Sequence, residues 1–458
     1  MNDNFKVGFI SLGCPKNLID TEIMLKILSD GGYEIVAEDI EADVIIINTC
    51  AFVESAKKEA IDNILDVAWL KKNRKLKGIV VCGCLAERYR EEVLAELPEV
   101  DALVGVFSIH DILDAVKHIE RLPPSTPLTP PSTNRGANTD KYISLKIADG
   151  FVLGGDRILT TPEYTAYIKI AEGCDNRCSY CVIPSIRGGF APRGAGDIIK
   201  EARELADIGV KELCVVAQDS TQYENLPGLL DELCGIGGIE WIRLLYCYPD
   251  KITDELIQTI KKQDKITKYI DMPIQHIDDR ILSAMNRPGG SAAIKAAIKK
   301  LRENIPGITL RTTVMVGFPG ETKEMFGELC EFLKEAKFER LGAFAYSAEE
   351  GTPAAGFEGQ VGEAEKARRQ KAVMALQKRI NGALNQKKVG KTAKVLCEGF
   401  DKVSGVYYGR SEADAPEIDG KVYFRVGDGI LDIPQEGDFV DVKIEKVIDY
   451  DLYGKSGK

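Results

Sequence analysis

Three cysteines, Cys174, Cys178 and Cys181, are separated by three and two residues and follow directly on an apolar, β-rich run from Tyr164 to Ile170. A loop that short can wrap its thiolates around one metal centre. Structural zinc asks for a fourth protein ligand, whereas a four-iron cubane held by three thiolates leaves one iron open. An open iron can chelate the amino and carboxylate groups of a bound amino acid. The spacing points to an iron–sulfur cluster with a reactive face, and the fold must present that loop at the end of a strand.

The surrounding pattern supplies such a fold. Strand-like runs near 164–171, 211–217, 241–247, 268–273, 308–316 and 340–346 alternate with five helical patterns. Right-handed crossovers close such a series into a barrel or partial barrel whose site lies at the carboxyl ends of the strands. The stretch Val316-Gly317-Phe318-Pro319-Gly320-Glu321-Thr322 ends the fifth strand and opens a helix, where glycines let backbone amides approach a ligand. Gln218, Asp219 and Ser220, and Met272 through His276, fall at or just past other strand ends. His276 reads first as a hydrogen-bonded core or loop histidine. His110 and His118 receive no role.

The first part of the chain is a second α/β repeat. Lys6 to Ser11, Val44 to Asn48 and Gly78 to Val81 read as strands, each followed by a helical pattern, over Asn17 to Asp30, Val53 to Leu70 and Glu87 to Leu97. The runs Val44-Ile45-Ile46-Ile47 and Ile79-Val80-Val81 are apolar without alternation, as in strands buried on both faces of a parallel sheet. Cys14, Cys50 and Cys84 each follow one of these strands, so all three belong at one sheet edge, where open parallel sheets form ligand sites. Three convergent thiolates again suggest a cubane with an open iron. Cys82 competes with Cys84. It still belongs to the apolar run and is assigned as a small buried hydrophobe, with Cys84 the ligand.

Between these parts, Leu122 to Ser132 (LPPSTPLTPPS) reads as a stiff linker, with one possible strand at Tyr142 to Ile147. The resulting partition is 1–122, a linker segment 123–161, 162–389 and 390–458. Gly362 to Lys388 is one long helical pattern with eight Lys/Arg against two Asp/Glu, read as a solvated face or a contact for an acidic partner or RNA. Short β-rich runs at 392–396, 406–410, 421–425 and 439–447 predict a small β-barrel at the end.

Twelve cysteines in 458 residues are too sparse for a disulfide scaffold. No apolar run approaches the roughly 18 residues of a bilayer span, and Met1 to Lys6 lacks signal-peptide character, so the expectation is a cytoplasmic protein with no membrane partner. The net charge of −11 argues against a broad polyanion-binding surface.

The cysteine spacing, with Tyr180 before the third cysteine, resembles the radical S-adenosylmethionine (SAM) superfamily. The resemblance implies that the open iron holds the methionine end of SAM and that Tyr180 packs near its adenine. Reductive cleavage then yields a 5′-deoxyadenosyl radical that removes hydrogen from an unactivated carbon. Gly317, Phe318, Pro319, Gly320 and Glu321 resemble the stretch that lies along the cofactor.

With the three N-terminal cysteines and the β-barrel tail, essentially the whole chain resembles the methylthiotransferases. That resemblance implies a flavodoxin-like parallel-sheet domain, a radical-SAM partial (β/α)6 barrel and an OB-like TRAM barrel. It also implies two [4Fe–4S] clusters, one on Cys14, Cys50 and Cys84 and one on Cys174, Cys178 and Cys181. One SAM supplies a methyl group and another the radical. An electron donor and a sulfur source remain unidentified.

One branch of the family modifies an adenosine of tRNA, the other an aspartate of small-subunit ribosomal protein S-twelve. Ser11-Leu12-Gly13-Cys14-Pro15-Lys16-Asn17 and Glu349-Glu350-Gly351-Thr352-Pro353-Ala354 resemble the ribosomal-protein branch. So do Gly409-Arg410-Ser411, Ala413-Asp414-Ala415-Pro416-Glu417-Ile418-Asp419-Gly420 and Tyr450-Asp451-Leu452. Ala348, where proline is expected, and the long segment between the first two domains depart from it. Charge adds a physical argument. Residues 390–458 carry ten Lys/Arg against fourteen Asp/Glu, net −4, which suits a basic ribosomal protein better than RNA. The expected partner is therefore ribosomal protein S-twelve, reached through the acidic tail barrel, with tRNA as the alternative.

Overall fold

The computed structural model describes residues 5–37, 39–73, 76–122, 141–146, 154–427 and 433–457. Most of the linker read from Leu122 to Ser132 lies outside them. The chain divides into two compact units. The first holds residues up to Thr160 together with Ala171–Arg177 and Cys181–Arg193; the second holds Thr161–Ile170, Cys178–Tyr180 and Gly194–Lys458.

In the first unit, the elements are β1 (Lys6–Ser11), α1 (Pro15–Asp30), β2 (Glu34–Val36), β3 (Val44–Thr49), α2 (Glu54–Asn73), β4 (Gly78–Gly83), α3 (Cys84–Tyr89), α4 (Glu91–Glu96), β5 (Ala102–Val104), α5 (Ile112–Arg121) and β6 (Tyr142–Ser144). The strands form one parallel sheet in the order β2-β1-β3-β4-β5-β6, which begins with the flavodoxin-like order 2-1-3-4-5. Every residue of β3 and β4 is buried, because helices cover both faces. One apolar core joins Ile45, Ile47, Ile64, Val67, Ile79, Val81 and Leu103. The helix expected over Glu87 to Leu97 is instead α3 and α4, broken at Arg90, whose φ of 45° no α-helix accommodates.

Before the second sheet is counted, the chain order runs β7 (Thr165–Lys169), β8 (Ala171–Glu172), α6 (Ile183–Arg187), β9 (Ala191–Pro192) and α7 (Ala195–Asp207). Of these, β8 and β9 pair antiparallel within the first unit, which also contains α6.

The second unit continues with β10 (Glu212–Val216), α8 (Leu226–Cys234), β11 (Trp241–Leu244), α9 (Asp254–Lys262), β12 (Ile266–Asp271), α10 (Asp279–Ala284), α11 (Gly290–Asn304), β13 (Thr309–Val316), α12 (Lys323–Ala336), β14 (Arg340–Ala345) and α13 (Glu363–Gln386). Strands β7 and β10 to β14 form an open six-stranded parallel sheet in sequence order, the partial barrel the alternation predicts. One crossover carries two helices, α10 and α11, where the alternation suggested one. Five strands, β15 (Thr392–Asp401), β16 (Val406–Ser411), β17 (Val422–Arg425), β18 (Phe439–Ile448) and β19 (Asp451–Ser456), close the tail barrel. Among the described residues, no helix is long and apolar enough to cross a membrane.

Candidate functional site

Strands β1, β3 and β4 are immediate neighbours in one parallel sheet, so the residues that follow them share an edge. Cys14 occupies the N-cap of α1, Cys50 follows Thr49, and Cys84 is the first residue of α3. Asn17 ties these turns together. Its Nδ2 donates to the carbonyl of Leu12 at 3.0 Å and to that of Thr49 at 2.8 Å, and its Oδ1 accepts from the Cys84 thiol at 3.6 Å. The Cys14 and Cys50 turns are in contact as well: a Cβ on Gly13 would stand 3.3 Å from Cys50 Sγ. Cys82 lies elsewhere, fully buried in β4, with its thiol 3.6 Å from the carbonyl of Ile47.

The three thiols differ electrostatically. Burial pushes Cys14 up, but Lys16, Arg187 and the N–H groups of Asn17 and Lys16 outweigh it and hold the thiol below its ordinary value. That is the behaviour expected of a thiol at a helix N-terminus. Burial raises Cys50, and it pushes Cys84 up to about 12 against the opposing pull of Arg187. A bound iron would replace those protons and complete the set. Among the described residues, no group of three or more His, Cys, Asp or Glu side chains has the spacing to hold a single ion. A cubane has a different requirement, since each thiolate meets a different iron.

Cys174 and Cys178 are buried and Cys181 is half-buried. The Asn176 amide lies 3.4 Å from Cys174 Sγ, and the Ile183 N–H donates to Cys181 Sγ at 3.5 Å. Such donors favour thiolate over thiol. In the second unit, Cys178 Sγ stands 3.7 Å from the Tyr248 hydroxyl, and the Arg287 guanidinium lies over the Tyr248 ring at 4.0 Å. Arg287 is buried, and its Nη1 has no hydrogen-bond partner among the described residues. A buried guanidinium with one unpaired donor beside Cys178 fits an anionic group such as an amino-acid carboxylate.

Tyr180 packs against an apolar cluster of Ile281, Met285, Phe318, Met325, Tyr346 and Ala354. The aromatic of the cysteine loop thus joins the cluster that contains Phe318. Glu321 anchors the rest of that turn: its Oε2 accepts from the Gly317 N–H, and its Oε1 lies 3.2 Å from Arg369 Nη1. Thr322 caps α12 by accepting from the Met325 N–H at 3.3 Å. His276 is fully buried; its Nδ1 accepts from the Asp278 N–H at 3.0 Å, so the proton sits on Nε2, which faces Glu321 Oε1 at 3.8 Å. It is a core histidine behind the turn. Asp219 is likewise buried and paired with Lys251 at 2.6 Å.

Known proteins resemble this chain in sequence and fold. Residues 6–105 match the Uncharacterized protein family UPF0004, 168–333 the Radical SAM superfamily and 389–456 the TRAM domain. A protein of Pelotomaculum thermopropionicum named ribosomal protein uS12 methylthiotransferase RimO is 49% identical, covering 98% of this chain and 99% of its own. A Clostridioides difficile protein of the same name is 46% identical, covering 98% of each. The chain belongs to the ribosomal protein uS12 methylthiotransferase family. Among solved structures, the radical SAM methyltransferase TsrM of Kitasatospora setae aligns with a TM-score of 0.55 at 14% identity over 77% of each chain, a likeness of fold.

Within this methylthiotransferase, sequence reasoning missed the helix that braces the turn from Gly317 to Thr322. The basic excess of α13 is not all solvated: Lys366 and Arg369 are buried, with Lys366 lying so close to Gly317 that an added Cβ would meet its Cγ at 2.4 Å. Lys366, Arg368, Arg369 and Lys378 pair with Glu363, Glu365, Glu321 and Asp449. The inward face also carries Gln377, Asn381 and Asn385, so it is largely polar and the apolar periodicity that usually betrays a buried face is weak. The tail motif holds a similar surprise. Asp414 grips Arg340, and Asp419 accepts from the Tyr269 hydroxyl at 2.7 Å, so part of the acidity read as a partner surface is consumed at the base of the partial barrel.

Proposed function

We propose that this chain inserts sulfur at the β-carbon of an aspartate in ribosomal protein uS12 and methylates it, using two [4Fe–4S] clusters and SAM. The observation that carries the reading is the convergence on Asn17 of the turns that carry Cys14, Cys50 and Cys84, alongside a separate cysteine triplet that follows the first strand of the second sheet. An enzyme that only generates a radical needs one cluster. Sulfur delivery is the task that gives a second open-iron cluster a use.

In this reading, Cys174, Cys178 and Cys181 hold the cluster that binds SAM, and Cys14, Cys50 and Cys84 hold the other. When bound, these groups supply a carbon-centred radical, a sulfur atom and a methyl group. The protein's own residues orient and shield them. Tyr180 and Phe318 wall the nucleoside, and Gly317, Pro319 and Gly320 keep backbone close to it, with Glu321 and Arg369 fixing the turn. Arg287 offers its charge to the carboxylate of SAM. The functional partition follows the domain boundaries 1–122, 123–161, 162–389 and 390–458. The exposed carboxylates of the tail barrel receive basic uS12, while an external electron donor and sulfur source complete the stoichiometry in the cytoplasm.

The test is a peptide mass measurement on uS12 incubated with and without the reconstituted enzyme under anaerobic, reducing conditions. Replacement of one hydrogen by a methylthio group on a single aspartate is the expected result. Modification of tRNA adenosine with uS12 untouched would overturn the substrate assignment. Of the eight basic residues that first favoured tRNA, Lys366 and Arg369 are buried and turned away from any RNA.

A further inference from the structure

Arg187 belongs by sequence to the radical-SAM region, six residues after Cys181, yet its side chain lies in the bed of the N-terminal cysteines. The segment reaches there because α6 is amphipathic toward the first unit: Val182 and Ile186 join the apolar core that contains Cys84, Leu85 and Ala86. Arg187 follows them inward, 2% exposed. One terminal nitrogen donates to Glu172 at 2.8 Å; the other reaches Asp20 at 3.1 Å and the Oδ1 of Asn17. That same Asn17 oxygen faces the Cys84 thiol at 3.6 Å.

Burying a guanidinium is costly unless its surroundings repay it. Glu172 and Asp20 do so in part. Arg187 also stands close enough to Cys14, Cys50 and Cys84 for its charge to act on all three, and it reaches Cys84 through the shared Oδ1 of Asn17. Three thiolates on a cubane carry negative charge that an apolar setting cannot stabilise; buried Lys16 answers it beside Cys14, and Arg187 is the buried cation that acts on Cys14, Cys50 and Cys84 alike. Glu172 precedes the cysteine triplet and Arg187 follows it, so the Glu172–Arg187 pair joins the two flanking segments that belong to the first unit.

We infer that Arg187 is a positioning residue for the N-terminal cluster, supplying its counter-charge and, through Asn17 and Glu172, tying that cluster's ligand turns to the loop that carries the other cluster. The inference rests on the two-cluster reading above. A positive charge and a hydrogen bond toward a thiolate ligand favour the reduced, more negative cluster, so they raise its potential. Removing them lowers it.

The experiment uses the full chain with Cys174, Cys178 and Cys181 changed to alanine, reconstituted anaerobically, so that only an N-terminal cluster remains. Redox titration followed by EPR compares this parent with Arg187→Lys and Arg187→Gln. In Arg187→Gln, the reduced-to-oxidised ratio at the parent's midpoint should fall about tenfold, which is 59 mV for a one-electron couple. Arg187→Lys should recover most of that shift. An unchanged midpoint in folded, iron-loaded Arg187→Gln would overturn the role. A second readout, independent of whether that variant folds, is pulsed EPR on the same parent labelled with nitrogen-15 arginine. A nitrogen-15 coupling to the reduced cluster supports the placement, and its absence overturns it. If the parent binds no iron at all, the two-cluster reading fails, and the inference with it.

Discussion

Arg410 of the tail barrel places Nη2 2.6 Å from Oε2 of Glu212 at the start of β10, with both side chains out of solvent. Arg243 approaches the other carboxylate oxygen at 2.9 Å. Burial alone would raise the Glu212 carboxyl, but the two guanidinium groups outweigh it and hold the value down at about 2, against an ordinary 4.5. The depressed value makes the contribution to stability complete above pH 4.5 and progressively lost as pH falls toward 2. Glu212→Gln should cost roughly 3–5 kcal/mol at neutral pH by leaving buried Arg243 without its carboxylate and Arg410 with Glu398 alone. Thermal unfolding at pH 7 and pH 3 checks both statements: the gap between parent and variant should shrink at the lower pH.

Cys84 and Cys82 are two residues apart and separate cleanly by experiment. Cys84→Ser should reduce reconstituted iron by about four per chain, one cubane. Cys82→Ser should retain both clusters, because its thiol sits inside β4 against the Ile47 carbonyl. Iron and sulfide assays on the two variants, side by side, measure the difference. Full iron in Cys84→Ser would show the ligand assignment to be mistaken.

The placement of Cys14, Cys50 and Cys84 at one sheet edge was legible because each follows an apolar run, and strand ends in parallel α/β folds are where ligands gather. The groups that support them were not. Asn17 and Arg187 stand 170 positions apart in the chain, and only the completed fold brings them together. Strands β2 and β5 escaped notice because three residues are too few to establish a pattern. Strand β19, read as Asp-Leu-Tyr-Gly-Lys-Ser, mixes polar residues with one buried leucine and draws its stability from pairing with β17 and β18. The break at Arg90 has no glycine or proline to announce it.

Gly173 immediately precedes the cysteine triplet and adopts φ +70°, and a Cβ there would come within 2.0 Å of the Gly189 carbonyl oxygen. An alanine meets both a disfavoured backbone conformation and a rigid backbone atom. The Cys174 N–H, which donates to the Gly188 carbonyl at 3.1 Å, would be displaced with it. Gly173→Ala should therefore lose the SAM-binding cluster while keeping the N-terminal one. About half the parent's iron, with no 5′-deoxyadenosine formed under reducing conditions, is the expected outcome.

Glu321→Gln tests the brace behind the SAM turn. The amide keeps the size of the carboxylate but gives up the charge that pairs with Arg369 and strengthens acceptance from the Gly317 N–H. Hydrogen bonds to charged groups contribute roughly 1.5–3 kcal/mol, so SAM should bind roughly ten- to a hundredfold more weakly. Iron content should not change, since no cysteine ligand touches Glu321. Equilibrium binding of SAM to the reconstituted enzyme measures the first, and an iron assay the second.

The tail barrel permits a charge test of partner choice. Asp414 and Asp419 are committed to Arg340, Arg311 and Tyr269, so any docking of a basic protein falls to carboxylates that face solvent, among them Glu436, Asp441 and Glu445. Changing these three to glutamine leaves the barrel's core of Val395, Cys397, Val422, Phe424, Val442 and Ile444 untouched. If they steer uS12, association at low salt should slow about tenfold or more, and the difference should fade once the ionic strength brings the Debye length to a few ångströms. Stopped-flow binding across a salt series measures this. The same substitutions should leave SAM cleavage without uS12 unchanged, which separates lost docking from lost chemistry. An association rate indifferent to all three would place the uS12 contact elsewhere on the chain.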